Sequence, residues 1–234
     1  DYIAQDEQHT TPRAALVYEP VEGSIFKLLY GQAFRVPNSY LKSETIHTYE
    51  GVYEQAMGSH LKGSVSGYVY DIKNLINLTT IGGGFGLMNL NRVRGTGVET
   101  ELRSKWASVA EGYLNYTYQV TKDRATREEL SNSPNHLAKA GVVFFLAGES
   151  ASLGMEGQYV GNRRTVQPGE RVGAYIVANM SLTVRNLYKN LEIQSTVFNL
   201  FDARFEDPAS QVHAPILKIP QNRRNFNVKV TYLY

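Results

Sequence analysis

Apolar and polar side chains alternate, residue by residue, through most of this chain. In RNFNVKVTYLY (224–234), Phe226, Val228, Val230, Tyr232 and Tyr234 share one parity, while Asn225, Asn227, Lys229 and Thr231 share the other. Successive side chains of a β-strand point to opposite faces, so this pattern predicts a strand whose two faces meet different surroundings. The same period-two signal predicts about eleven strands, over residues 11–18, 24–34, 45–55, 61–75, 90–106, 109–120, 136–147, 152–161, 173–187, 191–201 and 224–234. Several exceed the five or six residues usual for globular strands. A helical period is hard to find.

The connections between these strands alternate in length. Short turns fall at EPVEG, MGSH, ASV, GESA and LYKN. Between them come longer polar segments: RVPNSYLKSE, TTIGGGFGLMN, TKDRATREELSNSPN, NRRTVQPGER and DARFEDPASQVHAPILKIPQN. Short and long ends taking turns is the layout of a transmembrane β-barrel, with tight turns on one side of the membrane and longer loops on the other. The faces agree. Glu99, Glu101, Arg103 and Lys105 share one side of their strand, and Val98, Thr100, Leu102, Ser104 and Trp106 the other. Leu114, Tyr116, Tyr118 and Val120 oppose Asn115, Thr117 and Gln119, and Ile176, Ala178, Met180, Leu182 and Val184 oppose Val177, Asn179, Ser181 and Thr183. One such strand fits a soluble sandwich as well as a barrel. Long strands repeating the pattern favour an all-β, transmembrane antiparallel β-barrel, its charged side toward the lumen and its apolar side toward lipid.

Composition narrows the function classes. Lys and Arg total 24 against 22 Asp and Glu, and no basic cluster interleaves with aromatics, so nucleic acid is not an expected partner. The chain has no cysteine, which excludes disulfides and thiolate metal sites. The longest apolar run, AGVVFFLAG (140–148), is about half of what a membrane-spanning helix needs. Tyrosine is abundant, at 16 against 9 Phe and one Trp. Amphipathic rings gather at membrane interfaces, so Tyr18, Trp106, Tyr188 and Tyr234, beside short turns or the chain end, are candidates for an aromatic girdle. The first residues, DYIAQDEQHTTPRAALVYEP, read as an internal piece of something longer, with no signal peptide.

At SIFKLLYGQAFRVPN (24–38) the sequence resembles a TonB-dependent outer-membrane receptor. TTPRAALVYEP precedes it and SETIHTYEGVYE follows; NLNRVRGTGVETELR, SNSPNHLAKAGV, QYVGNRRT, VFNLFDARFEDP and NRRNFNVKVTYLY come later, in the order of the C-terminal part of that family's barrel. The resemblance spans nearly the whole chain. It implies a 22-stranded barrel plugged by an N-terminal domain. It further implies active uptake of a scarce ligand (a ferric siderophore, haem or a cobalamin) across the outer membrane of a Gram-negative bacterium, energised by the TonB complex. Residues 1–234 are then expected to be the C-terminal half of the barrel, with the plug, the TonB-contacting segment and the N-terminal strands absent from this sequence. Eleven up-and-down strands leave first and last parallel, so closure is expected to need strands from elsewhere. The implied partners are outer-membrane lipid, the plug and N-terminal half, TonB through the missing part, a small chelate, and the barrel-assembly machinery. For that machinery the last strand, with Phe226, Val228, Val230, Tyr232 and Tyr234, resembles a recognition signal, although family members usually end in Phe. A passive porin-like or structural barrel is the alternative, and a soluble carbohydrate-binding module a third reading.

Catalysis finds no footing in these residues. His9, His47, His60, His136 and His213 have no ligand-like spacing. IGGGFG lacks the ending of a phosphate loop and no helix pattern follows it. Glu128 and Glu129, like Glu99 and Glu101, are paired carboxylates with no nucleophile or base gathered round them. No catalytic residue, metal ligand or cofactor is therefore expected, and the chain reads as a non-enzyme. Candidate ligand contacts lie in the longer loops. Arg35, Arg163 and Arg164 offer guanidinium groups to an anionic chelate, Tyr40 a ring to stack, and His213 an imidazole in the longest loop.

Overall fold

The computed structural model describes residues 10–37, 41–81, 84–89, 92–146, 150–188, 190–213 and 215–232. Tyr40, Tyr234 and His9 lie outside them. Eleven strands build one antiparallel sheet: β1 (Arg13–Val21), β2 (Ser24–Arg35), β3 (Glu44–Met57), β4 (Leu61–Lys73), β7 (Arg92–Trp106), β8 (Ala110–Asp123), β9 (His136–Leu146), β10 (Ala151–Val160), β13 (Tyr175–Val184), β14 (Leu191–Phe198) and β17 (Asn225–Tyr232). All eleven stand where the alternation predicts them, with ends shifted by a few residues. Each pairs with its neighbour in sequence order, and among the described residues no ladder joins β17 to β1.

The longer connections are more ordered than their polar sequences suggest. Three of the segments expected to be loops carry hairpins: β5 (Ile76–Ile81) with β6 (Gly84–Asn89), β11 (Arg163–Arg164) with β12 (Arg171–Val172), and β15 (Glu206–Pro208) with β16 (Lys218–Pro220). A 3-10 turn, Gln211–His213, completes the last. These strands are two to six residues long, too short for a periodic signal to stand out.

Register sorts the side chains. Residues directly opposite in an antiparallel ladder lie on one face. One such row runs Tyr18, Phe26, Tyr53, Val65, Thr100, Tyr116, Ala138, Tyr159 and Ile176, and its neighbours include Leu102 with Leu114 and Met155 with Met180. The row starts near the short turn at β1 and climbs to the long-loop end by β13, as expected of strands tilted in a barrel wall. On β17, Phe226, Val228, Val230 and Tyr232 continue this face opposite Val197, Ser195, Ile193 and Leu191. The face is apolar and uncovered. Phe226 is 71% exposed and Ile176 64%.

Below the long-loop rim, the charges lie on the other face. Glu101 pairs with Arg103 and accepts from Asn115 (2.8 Å), Lys27 meets Glu54 (2.6 Å), and Lys105 meets Glu111 (3.0 Å). Tyrosines lie flat here over glycines of the adjacent strand. A Cβ on Gly95 would sit 2.1 Å from Tyr70, and one on Gly97 2.4 Å from Tyr68. Tyr68 thereby reaches Gln119, two strands away (3.4 Å), and Tyr70 reaches Thr121 (2.9 Å). Buried hydrophobic residues are few, namely Val93, Ala110, Val160, Val172 and Ala209, and among the described residues no second large sheet packs on either face. A soluble sandwich would bury such an apolar face against another sheet.

Candidate functional site

The long connections all leave the same end of the sheet, and three of them are tied together there. Arg163, at the start of β11, is the knot. Its guanidinium donates to Asp207 Oδ1 (2.6 Å), the Glu206 carbonyl (3.1 Å) and Asn132 Oδ1 (3.2 Å), and stands over the Tyr175 ring at 5.5 Å. Tyr175 in turn packs on Phe205, with ring centroids 4.3 Å apart. Arg164 donates to the Glu129 carbonyl (2.8 Å) and Glu128 (3.1 Å), and Arg171 meets Glu129 (3.4 Å). The two arginines expected to await a ligand are instead engaged by the loops themselves, and Arg163 is only 7% exposed. Arg163→Met keeps the apolar stem but removes these charge-assisted bonds. It should destabilise the loop cluster by about 2–3 kcal/mol. Limited proteolysis within 124–135 and 199–224 should accelerate accordingly, and unchanged cleavage would show that other contacts hold the loops.

The remaining candidates are spread out. Arg35 ends β2 with most of its side chain exposed and is held by Glu44 (2.9 Å). His213 is exposed, and its ring nitrogen shares a hydrogen bond with the Ser210 hydroxyl (2.9 Å), closing its own 3-10 turn. Among the described residues, neither hydrogen-bonds to nor ion-pairs with the Arg163 cluster. Beside that cluster lies a polar cleft of about 290 Å³, lined by residues of four connections that include Asn77, Glu128, Asn132, Arg164, Thr165 and Gln211.

The sequence reading missed the root of the last loop. Asn199 and Asp202 both adopt left-handed backbone (φ 52° and 56°), which Asn and Asp tolerate better than most residues. Asn199 is buried, donates to the carbonyls of Ala203 (2.9 Å) and Asn222 (3.3 Å), and accepts from the Ala203 N–H (2.8 Å). Asp202 accepts from Arg223 Nε (2.7 Å) and the Arg224 N–H (3.0 Å). Asn and Asp spaced three apart just past a strand, in FNLFDA, was the available signal.

The Arg223 guanidinium, and then the Arg224 N–H, hold the Asp202 carboxyl down at about 2, against 3.8 for a free group. A carboxyl depressed in the folded state stabilises above its unfolded pKa, and that contribution is lost as pH falls through the folded one. Asp202→Asn should therefore open this loop root relative to wild type above pH 4. The difference should shrink toward zero as pH drops to about 2. Hydrogen exchange at residues 199–205 would show it, and a gap that stayed constant with pH would count against the assignment.

The comparisons with known proteins agree with this geometry. The family model "TonB dependent receptor-like, beta-barrel" matches residues 1–200, and the chain belongs to that family. It is an outer-membrane β-barrel protein of a Gram-negative bacterium. Among solved structures it is similar to the copper transporter OprC (TM-score 0.78, 16% identity, covering 95% of this chain and 39% of that one). It is also similar to the ferric enterobactin receptor PfeA from Pseudomonas aeruginosa (TM-score 0.76, 21% identity, 94% and 39%). A third is the FrpB iron transporter from Neisseria meningitidis (TM-score 0.72, 14% identity, 95% and 39%). At these identities the likeness is one of fold. The chain spans about 39% of the length of each. A search of curated proteins gave no match.

Proposed function

We propose that this chain is the C-terminal half of the barrel of a TonB-dependent receptor that takes up a scarce ligand, such as a ferric siderophore, haem or a cobalamin. The observation that carries this reading is the open eleven-stranded sheet of one receptor family, with an apolar outward face, a charged inward face and long loops gathered at one end. Closure requires further strands, since unpaired backbone groups in lipid cost several kcal/mol each. A plug domain would occupy the lumen against the charged face, and TonB would act through parts of the receptor beyond this chain. At the loop end, Arg35, Tyr40 and His213 are the proposed ligand contacts, while Arg163 and Arg164 tie the loop that carries His213 to two other connections. Tyr18, Trp106, Tyr188 and Tyr234 form the proposed girdle. Trp106 lies over Gly112, where a Cβ would meet its ring at 3.2 Å. β17, an edge strand with one apolar parity, is the strand proposed to pair with the barrel-assembly machinery.

Uptake by the receptor that carries this chain is the test. Cells expressing it should accumulate radio-iron from a ferric chelate saturably, and only while the TonB complex is energised. Accumulation that is non-saturable and indifferent to TonB would mark a passive pore instead. The cobalamin and haem arms of the same assay separate a wrong ligand class from a wrong mechanism.

A further inference from the structure

We propose that the outward rim of β4, β7 and β8 is a docking surface for the phosphate groups of outer-leaflet lipid. The apolar face ends, toward the long loops, in the row Tyr30, Tyr49, Val69, Thr96 and Val120. The next row on that face is His47, Asp71, Arg94 and Lys122, and beyond it stand Lys73 and Arg92. Arg124 extends the ladder, its N–H donating to the Arg92 carbonyl (2.8 Å). Residues scattered between 73 and 124 thus meet as five cations around one carboxylate.

That carboxylate is already engaged. Asp71 holds Arg94 (2.6 Å) and lies 3.4 Å from Arg92. Among the described residues no carboxylate comes within ion-pair distance of Lys73, Lys122 or Arg124, all three of them exposed. The acidic groups nearest in sequence are occupied elsewhere. Asp123 accepts from the N–H groups of Ala125 and Thr126, Glu128 holds Arg164, and Glu129 meets Arg171. The rim therefore keeps an unbalanced positive charge.

Its height selects the partner. At about 3.4 Å per residue the strand climbs roughly 40 Å between Trp106 and Arg94. With strands tilted about 40° that is roughly 30 Å of height, just beyond an apolar band about 25 Å tall. Cations on the lipid-facing parity at that level meet headgroups rather than hydrocarbon or the lumen. The patch is also continuous with the lipid face below it, which a protein partner or a free solute would not require. Phosphate is the anion whose oxygens match guanidinium forks and ammonium groups.

The experiment uses the purified receptor carrying this chain, in detergent, with micellar bisphosphorylated lipid A as probe. Arg92→Gln/Lys122→Gln/Arg124→Gln should weaken binding on the order of a hundredfold, about fivefold per cation. Lys62→Gln/Arg103→Gln/Lys105→Gln, equal in charge but on the inward face, should bind as wild type does. Dephosphorylated lipid A should not discriminate among the three proteins. Arg124→Gln alone lies past the strand end and should still lose about fivefold if the triple variant fails to fold. Undiminished binding by the rim variants, an equal loss in the inward control, or displacement by inorganic phosphate at matched concentration would each overturn the proposal, the last by marking a free-anion site.

Discussion

Replacing Met180 by arginine should nearly abolish folded protein in the outer membrane, while Arg103→Met should be tolerated. Met180 lies on the apolar face of β13, with Met155 of β10 on one side and Val197 of β14 on the other. A guanidinium on the lipid face near the bilayer midplane costs about 2–4 kcal/mol, roughly a thirty- to eight-hundredfold shift in the folding equilibrium. Arg103 stands on the opposite face with most of its side chain exposed. Its loss breaks an exposed pair worth at most about 1 kcal/mol, and Glu101 keeps its bond to Asn115. Heat-modifiable mobility on gels reads the folded fraction in both variants. Equal loss at the two sites would mean that the faces are assigned the wrong way round.

The second large effect is expected on the inward face, where Gly97→Val should destabilise the sheet more than Gly95→Val. At Gly95 the atoms nearest the new side chain all belong to Tyr70, which can swing away at the cost of its bond to Thr121. At Gly97 it meets the Tyr68 hydroxyl at 2.4 Å and also the Tyr118 carbonyl at 2.9 Å. A backbone oxygen in the ladder has nowhere to go. Overpacking of this kind costs about 1–3 kcal/mol, and a displaced tyrosine hydroxyl about 1 kcal/mol more. Urea titrations of the folded barrel would measure both. Tyr70→Ala should rescue most of the Gly95→Val defect, whereas Tyr68→Ala should rescue Gly97→Val only in part. Full rescue at Gly97 would show that the carbonyl contact relaxes.

Alternation made the strands legible because it is a local property. The period-two pattern survives without any knowledge of neighbours, since each strand must present one face to lipid and one to the lumen. Thus Val98, Leu102 and Trp106 on one parity, and Glu99, Glu101 and Arg103 on the other, announced both the element and its two environments, and register confirmed the split. Connection lengths gave the up-and-down order for the same reason. The short hairpins β5–β6, β11–β12 and β15–β16 escaped, because two to six residues cannot display a period and their pairing depends on the loop folding back.

The candidate site was less readable, and the reason is distance along the chain. Nothing in NRRTVQ distinguishes an arginine waiting for a ligand from one already satisfied. The difference lies in Asp207 and Asn132, 44 and 31 residues away, which the antiparallel order brings to the same end of the sheet. The basic rim is similar. Lys73, Arg92 and the Lys122/Arg124 pair are far apart in the sequence, and only the registers of β4, β7 and β8 stack them above one stretch of the apolar face. Sequence by itself determined strand, face and topology, which each residue's immediate neighbours encode. Tertiary structure decided which charges converge and which are already neutralised, because electrostatics and hydrogen bonding act through space between residues that the chain keeps far apart.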